Sequence, residues 1–178
     1  FENAINLLPQ TQWETNLKQT INMYTSAAEC AHTTLNPEKI DKYASKVVEC
    51  DCPVLMKVRV YCILMEAYVI SAEKASLKKA MDIGLRALKD LGYKLPATKV
   101  GITWATIQGM VNMKFSLAKW ATIPAEDYTM TDDAREEAIV QVLDTMVTVA
   151  YFSWPELIPL LMIKGVKRAM DHGITRYT

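Results

Sequence analysis

Apolar residues recur at intervals of three and four along almost the whole chain, and stretches of strict alternation are hard to find. That spacing gathers apolar side chains on one face of an α-helix, whereas a half-buried strand needs a period of two. Proline is scarce (7 residues) and falls mostly between the periodic stretches. The pattern predicts an all-α fold, and an apolar content of 51% is enough to build a substantial core for it.

The punctuation divides the chain into helices. Residues 2–8 read as the tail of a helix ended by Pro9, after which Thr11 and Glu14 have the spacing of a capping box. The helix expected next carries Trp13, Leu17, Ile21, Tyr24, Ala28 and Ala31 on one stripe. Asn36, Pro37 and Glu38 supply an N-cap, an N1 proline and an acidic first turn for a helix running to about Cys50. Pro53 opens a long helix reaching about Glu73, with Val54, Val58, Tyr61, Met65 and Tyr68 on one face. A fourth runs from Ser76 to Leu91. A fifth spans residues 98–120, and its portion 102–113 carries no charge, so it is expected to be largely enclosed. Residues 121–130 read as a loop, Thr131 or Asp132 as the cap of a helix running to about Phe152, and Pro155 as the start of a last one. That last helix ends at His172 with Gly173 past its end.

Two glycines and a proline organise the middle of the chain. In "ALKDLGYKLP" (87–96), Gly92 is expected at the C′ position, where a left-handed backbone lets later amides reach the last carbonyls. Pro96 bars any continuation of the helix. Gly84, inside the helix, costs about 1 kcal/mol against alanine, and a close helix–helix approach is the natural offset. Gly84, Gly92, Pro96, Pro155 and Gly173 are therefore the predicted structural residues.

From Trp13 to Pro53 and from Pro53 to about Lys94, a long helix and a shorter one recur at close to forty residues. Recurrence at that length is the mark of an α-solenoid, a right-handed stack of antiparallel hairpins, here with a repeat longer than the tetratricopeptide unit. The expected pairs are about 11–50, 53–92, 98–130 and 131–173, forming a single segment over 1–178. The start at Phe1 and the closing "DHGITRYT", which looks like the beginning of another element, suggest a piece of a larger protein.

The order "LLPQTQWE", "AAECA", "KVRVYCILMEAY", "KKAMDIGLRALKDLGYKLP", "AYFSWPEL" and "HGIT" resembles one known region over nearly all 178 residues, most specifically at 80–96. It is similar to the helical, tetratricopeptide-like middle of large multidomain signalling proteins. These carry a serine/threonine kinase domain and an AAA-type (STAND-like) ATPase before this region, and often GAF and sensor histidine kinase domains after it. The resemblance implies a region that couples the switch ATPase to output domains, and none of the family's catalytic residues falls on it. The chain agrees in having no phosphate-binding G-x-x-x-x-G-K-[ST] loop and no kinase loop motif.

No residue cluster argues for chemistry. Twenty basic and twenty acidic residues cancel, leaving no net field for nucleic acid or an anionic membrane. The most span-like stretch, 145–163, carries Pro155, Glu156 and Pro159 and reads as two buried helices meeting at a corner. Cys50 and Cys52 form a C-x-C pair, but zinc wants four ligands and His32 and His172 are distant in sequence. The four cysteines, with Cys30 and Cys62, read instead as reduced thiols, three of them in helical apolar patterns, which suits the cytoplasm. Both histidines sit at helix ends, where a dipole role suffices, and the acidic residues Asp132, Asp133, Glu136 and Glu137 suit a helix start better than a cation. Most of the aromatic residues are expected in the core. The expectation is thus a noncatalytic scaffold, with no cofactor, no metal and no catalytic residue, touching protein partners or flanking domains of its own chain. The alternative is a sensor whose concave groove takes a small-molecule or peptide effector that controls the attached ATPase.

Overall fold

Asn36 starts a helix in the way its chemistry allows: its side-chain oxygen accepts the Lys39 amide at 3.1 Å, and Pro37 follows where no amide partner is needed. Asp133 does the same for a later helix, its carboxylate accepting the amides of Arg135 (2.8 Å) and Glu136 (3.4 Å). The cap is therefore Asp133, not Thr131 or Asp132. The computed structural model describes residues 2–177 apart from 8, 10, 72, 97, 121 and 123–129.

Among the described residues there are nine helices and no strand: α1 (Glu2–Asn6), α2 (Gln12–Thr15), α3 (Leu17–Thr33), α4 (Pro37–Glu49), α5 (Val54–Ile70), α6 (Lys74–Asp90), α7 (Lys99–Trp120), α8 (Ala134–Ser153) and α9 (Ile158–His172). The helix expected to run unbroken from Thr11 is split at Asn16, whose backbone leaves helical geometry at φ −144°. Thr11 has helical dihedrals and makes no side-chain cap, so the expected capping box does not form. Instead the Thr20 hydroxyl donates to the carbonyl of Asn16 (3.0 Å), with that of Gln12 also in reach (3.2 Å), holding the break in place. Pro155 opens a 3-10 turn, Pro155–Leu157, rather than an α-helix, and α9 starts after it. The corner anticipated within 145–163 lies there, at Trp154.

Packing follows which helix faces are apolar. The α5 sequence VLMKVRVYCILMEAYVI is apolar on nearly every side, and the helix is buried from two directions. Val60, Ile63 and Leu64 join Ile21, Ala28, Ile40, Tyr43, Ala44 and Val47 in one core, between α3, α4 and α5. Val58, Tyr61 and Met65 join Ala80, Leu88, Ile139, Leu143, Met146 and Leu160 in the other, between α5, α6, α8 and α9. The sequence neighbours α3–α4, α5–α6 and α8–α9 pack against one another, and α8 lies as fully against α5 and α6 as against α9.

Helix α7 departs from the expectation most. It packs chiefly on α9, through the face that holds the buried Ile102 and through Gly109, where a Cβ would meet Ile163 Cγ2 at 2.7 Å. Its uncharged central portion is not enclosed: Trp104 is 68% exposed, and Ile107, Met110, Val111 and Phe115 are exposed with it. Lack of charge reflects a helix apolar all round, but α9 covers only one side of it. After α9, Gly173 (φ +98°) turns the chain, and Ile174 forms a lone parallel bridge with Met130.

Candidate functional site

The ending of α6 is a Schellman motif. Gly92, at φ +74°, donates its amide to Lys89 (2.9 Å), and Tyr93 donates to Leu88 (2.7 Å). What the helix ends against is α8: the Arg135 Nε donates to the Leu91 carbonyl at 2.9 Å, and a Cβ on Gly92 would run into the same guanidinium. Tyr93 and Leu95 pack on the core beside this end. Gly84 faces both neighbouring helices, since a Cβ there would lie 2.6 Å from Met146 Cγ on α8 and 2.9 Å from Met65 Sδ on α5. Pro96 lies in the stretch without regular structure before α7, Pro155 in the 3-10 turn, and Gly173 just past α9 with its amide on the Ala169 carbonyl. These five positions mark turns and close contacts spread over the molecule and do not converge on one place.

Several titratable residues are engaged locally. Glu136 pairs with Arg168, whose guanidinium lies over the Tyr93 ring at 4.5 Å, and His172 Nε2 stands 3.9 Å from the same carboxylate. Burial raises the Tyr93 phenol above its usual pKa, with Arg168 opposing. Glu137 pairs with Arg176 (3.3 Å), and His32 lies 3.9 Å from Glu66 of α5. The cysteines are free thiols in distinct settings: Cys30 is exposed, Cys50 and Cys52 half-buried at the α4–α5 corner, and Cys62 buried. Burial pushes Cys62 up to about 11. Cys30, on α3, is exposed and does not serve as a core residue. Lys57 closes the α4–α5 corner by donating to the carbonyls of Val48 (2.9 Å) and Cys50 (2.5 Å). Among the described residues no three of His, Cys, Asp or Glu cluster as metal ligands would.

Two kinds of surface remain that the core does not explain. The first is the outer face of α7, where Val100, Trp104, Ile107, Val111 and Phe115 form a stripe at helical spacing. Its sequence signal, an apolar helix, is also the signal of enclosure. The second is a groove of about 450 Å³ between α3 and α5, edged by Lys18 and Arg59. Another groove, about 630 Å³, runs between α6 and the end of α8, walled by Leu77, Met81, Leu85, Phe152 and Trp154. Most of the aromatic residues were expected in the core, and Phe152 is exposed. No described helix is long and apolar enough to cross a membrane. No protein-family model, no curated protein and no solved structure matches the chain.

Proposed function

We propose that this chain is a noncatalytic helical-repeat scaffold, a tetratricopeptide-like solenoid segment that makes protein contacts within a cytoplasmic signalling ATPase–kinase. The observation that carries the reading is the outer face of α7. Monomeric soluble proteins rarely leave a contiguous apolar stripe of that length in water, and such stripes mark contact surfaces. Trp104 and Phe115, both exposed, are the residue types that anchor interfaces. The solenoid part of the reading is supported by the packing of α8 on both α5 and α6, as a further hairpin would stack on the one before it. In that arrangement α7 stands outside the stack, between the second and third hairpins in sequence. The attachment to ATPase and kinase domains is supported by the sequence resemblance over residues 80–96.

The test uses the full-length gene product in its own cells, with a photocrosslinking amino acid at position 104 or 115. The expected adduct joins α7 to one defined surface, on a flanking domain of the same polypeptide or on one stoichiometric protein partner. Adducts scattered over many proteins, or none at all, would remove the α7 face as a contact site. Exposure of both side chains means that Trp104→Ser and Phe115→Ser should abolish the contact while changing the unfolding free energy of the 178-residue chain, measured by urea titration, by no more than about 0.5 kcal/mol.

A further inference from the structure

We propose that the groove between α3 and α5 is a binding site for an organic carboxylate carrying a short aliphatic tail. This site stands apart from the α7 face and does not depend on the scaffold reading. Its charge selects the ligand. Lys18 and Arg59 edge the groove, and no carboxylate lines it. Arg59 is already paired with Glu29, whereas Lys18 makes no ion pair among the described residues. The groove thus offers about one uncompensated positive charge, which a monocarboxylate neutralises and a phosphate dianion exceeds.

The neutral lining completes the argument. Lys18, Asn22, Thr25 and Ser26 share one face of α3, as their spacing of three, four, seven and eight requires. Asn22 and Ser26 offer neutral donors beside the cation. Thr25 lies in the same wall, only 5% exposed, and its buried hydroxyl has no hydrogen-bond partner. The opposite wall is apolar: Leu55 and Met56 of α5 face Ile21, and Leu55 is exposed at the lip. A volume of about 450 Å³ is that of a small-molecule site.

The experiment is an NMR titration of the isotope-labelled 178-residue chain at low salt, with hexanoate, hexanamide, inorganic phosphate and an acetylated tripeptide ending in a leucine carboxylate. Hexanoate should give saturable shifts confined to residues 18–29 and 55–59, and bind at least about tenfold more tightly than hexanamide or phosphate. Lys18→Gln, at an exposed position, should weaken hexanoate about tenfold without moving the urea midpoint, and Asn22→Asp should abolish binding by placing a second anion in the groove. Tighter binding of the tripeptide than of hexanoate would identify a chain terminus as the source of the carboxylate; the reverse order would identify a free acid. No saturable shift with either carboxylate below about 10 mM would overturn the proposal. So would equal binding of hexanamide, or a Lys18→Gln variant that binds hexanoate as the parent does.

Discussion

Leu35 and Gly92 do the same job at the ends of α3 and α6. Leu35 has φ +52°, its amide bonds to His32 (2.9 Å), and the Asn36 amide bonds to Ala31 (2.9 Å), the same pair of reversed bonds seen at Gly92. A leucine forced into the left-handed region costs about 1–2 kcal/mol, and at 64% exposure it recovers little by burial. Leu35→Gly should therefore stabilise the chain by about 0.5–1 kcal/mol in urea titration, after the entropy that glycine gives the unfolded state. Gly92→Ala should destabilise it by about 1–2 kcal/mol, because φ is positive and Arg135 must release the Leu91 carbonyl. Equal responses at the two sites would show that the caps are not held as described. Cys62 sets an alkaline limit of its own. Its folded pKa is raised from 9.0 to about 11, so the folded state retains a proton that the unfolded state has lost. That contribution is fully present below pH 9 and is lost as pH rises toward 11, by about 2–3 kcal/mol for a group this deeply buried. Between those values Cys62→Ala should lose stability with pH less steeply than the parent, and parallel curves would show that Cys62 is not the group responsible.

At the scale of the helices, what decides the assembly is how closely neighbours approach. Gly84 lets α6 lie against Met146 of α8 and Met65 of α5, both fully buried. Gly84→Leu should cost about 1–3 kcal/mol by overpacking, and Met146→Ala in the same chain should recover part of it. A double variant whose loss equals the sum of the two single losses would mean that Gly84 and Met146 do not share the contact. The sequence made Gly84 legible as a close-approach residue, since a glycine inside a helix has little other use. It did not say which helix approaches. Caps were legible where one side chain decides them, as at Asn36, and misread where several neighbours compete, as at Thr11 and Asp133. At Asn16 the break in the first long helix left no glycine or proline to announce it.

Across the whole molecule, α5 belongs to both cores, and this should make folding one event. Val60 and Met65 are fully buried in different cores on the same helix, so neither core can dissolve without exposing a face of α5. Fluorescence from Trp13, which packs on the α3–α4–α5 core, and from Trp154, beside the other, should report the same urea midpoint in single-tryptophan variants. Two separated transitions would show that the cores fold independently and that α5 does not join them.

The sequence by itself determined that the chain is helical, roughly where each helix stops, and which side chains of α3 face inward. Those features rest on residues near one another in the chain, through periodicity, capping and the freedom of glycine. Only the tertiary structure decided the fate of the two helices without a polar side. Both α5 and α7 are apolar nearly all round, but α5 is covered from two directions while α7, among the described residues, is covered chiefly by α9. The groove between α3 and α5 was equally hidden, because Lys18 and Arg59 stand on different helices. Periodicity tells which face of a helix is apolar; what lies against that face depends on residues distant in the chain, and no local pattern encodes them.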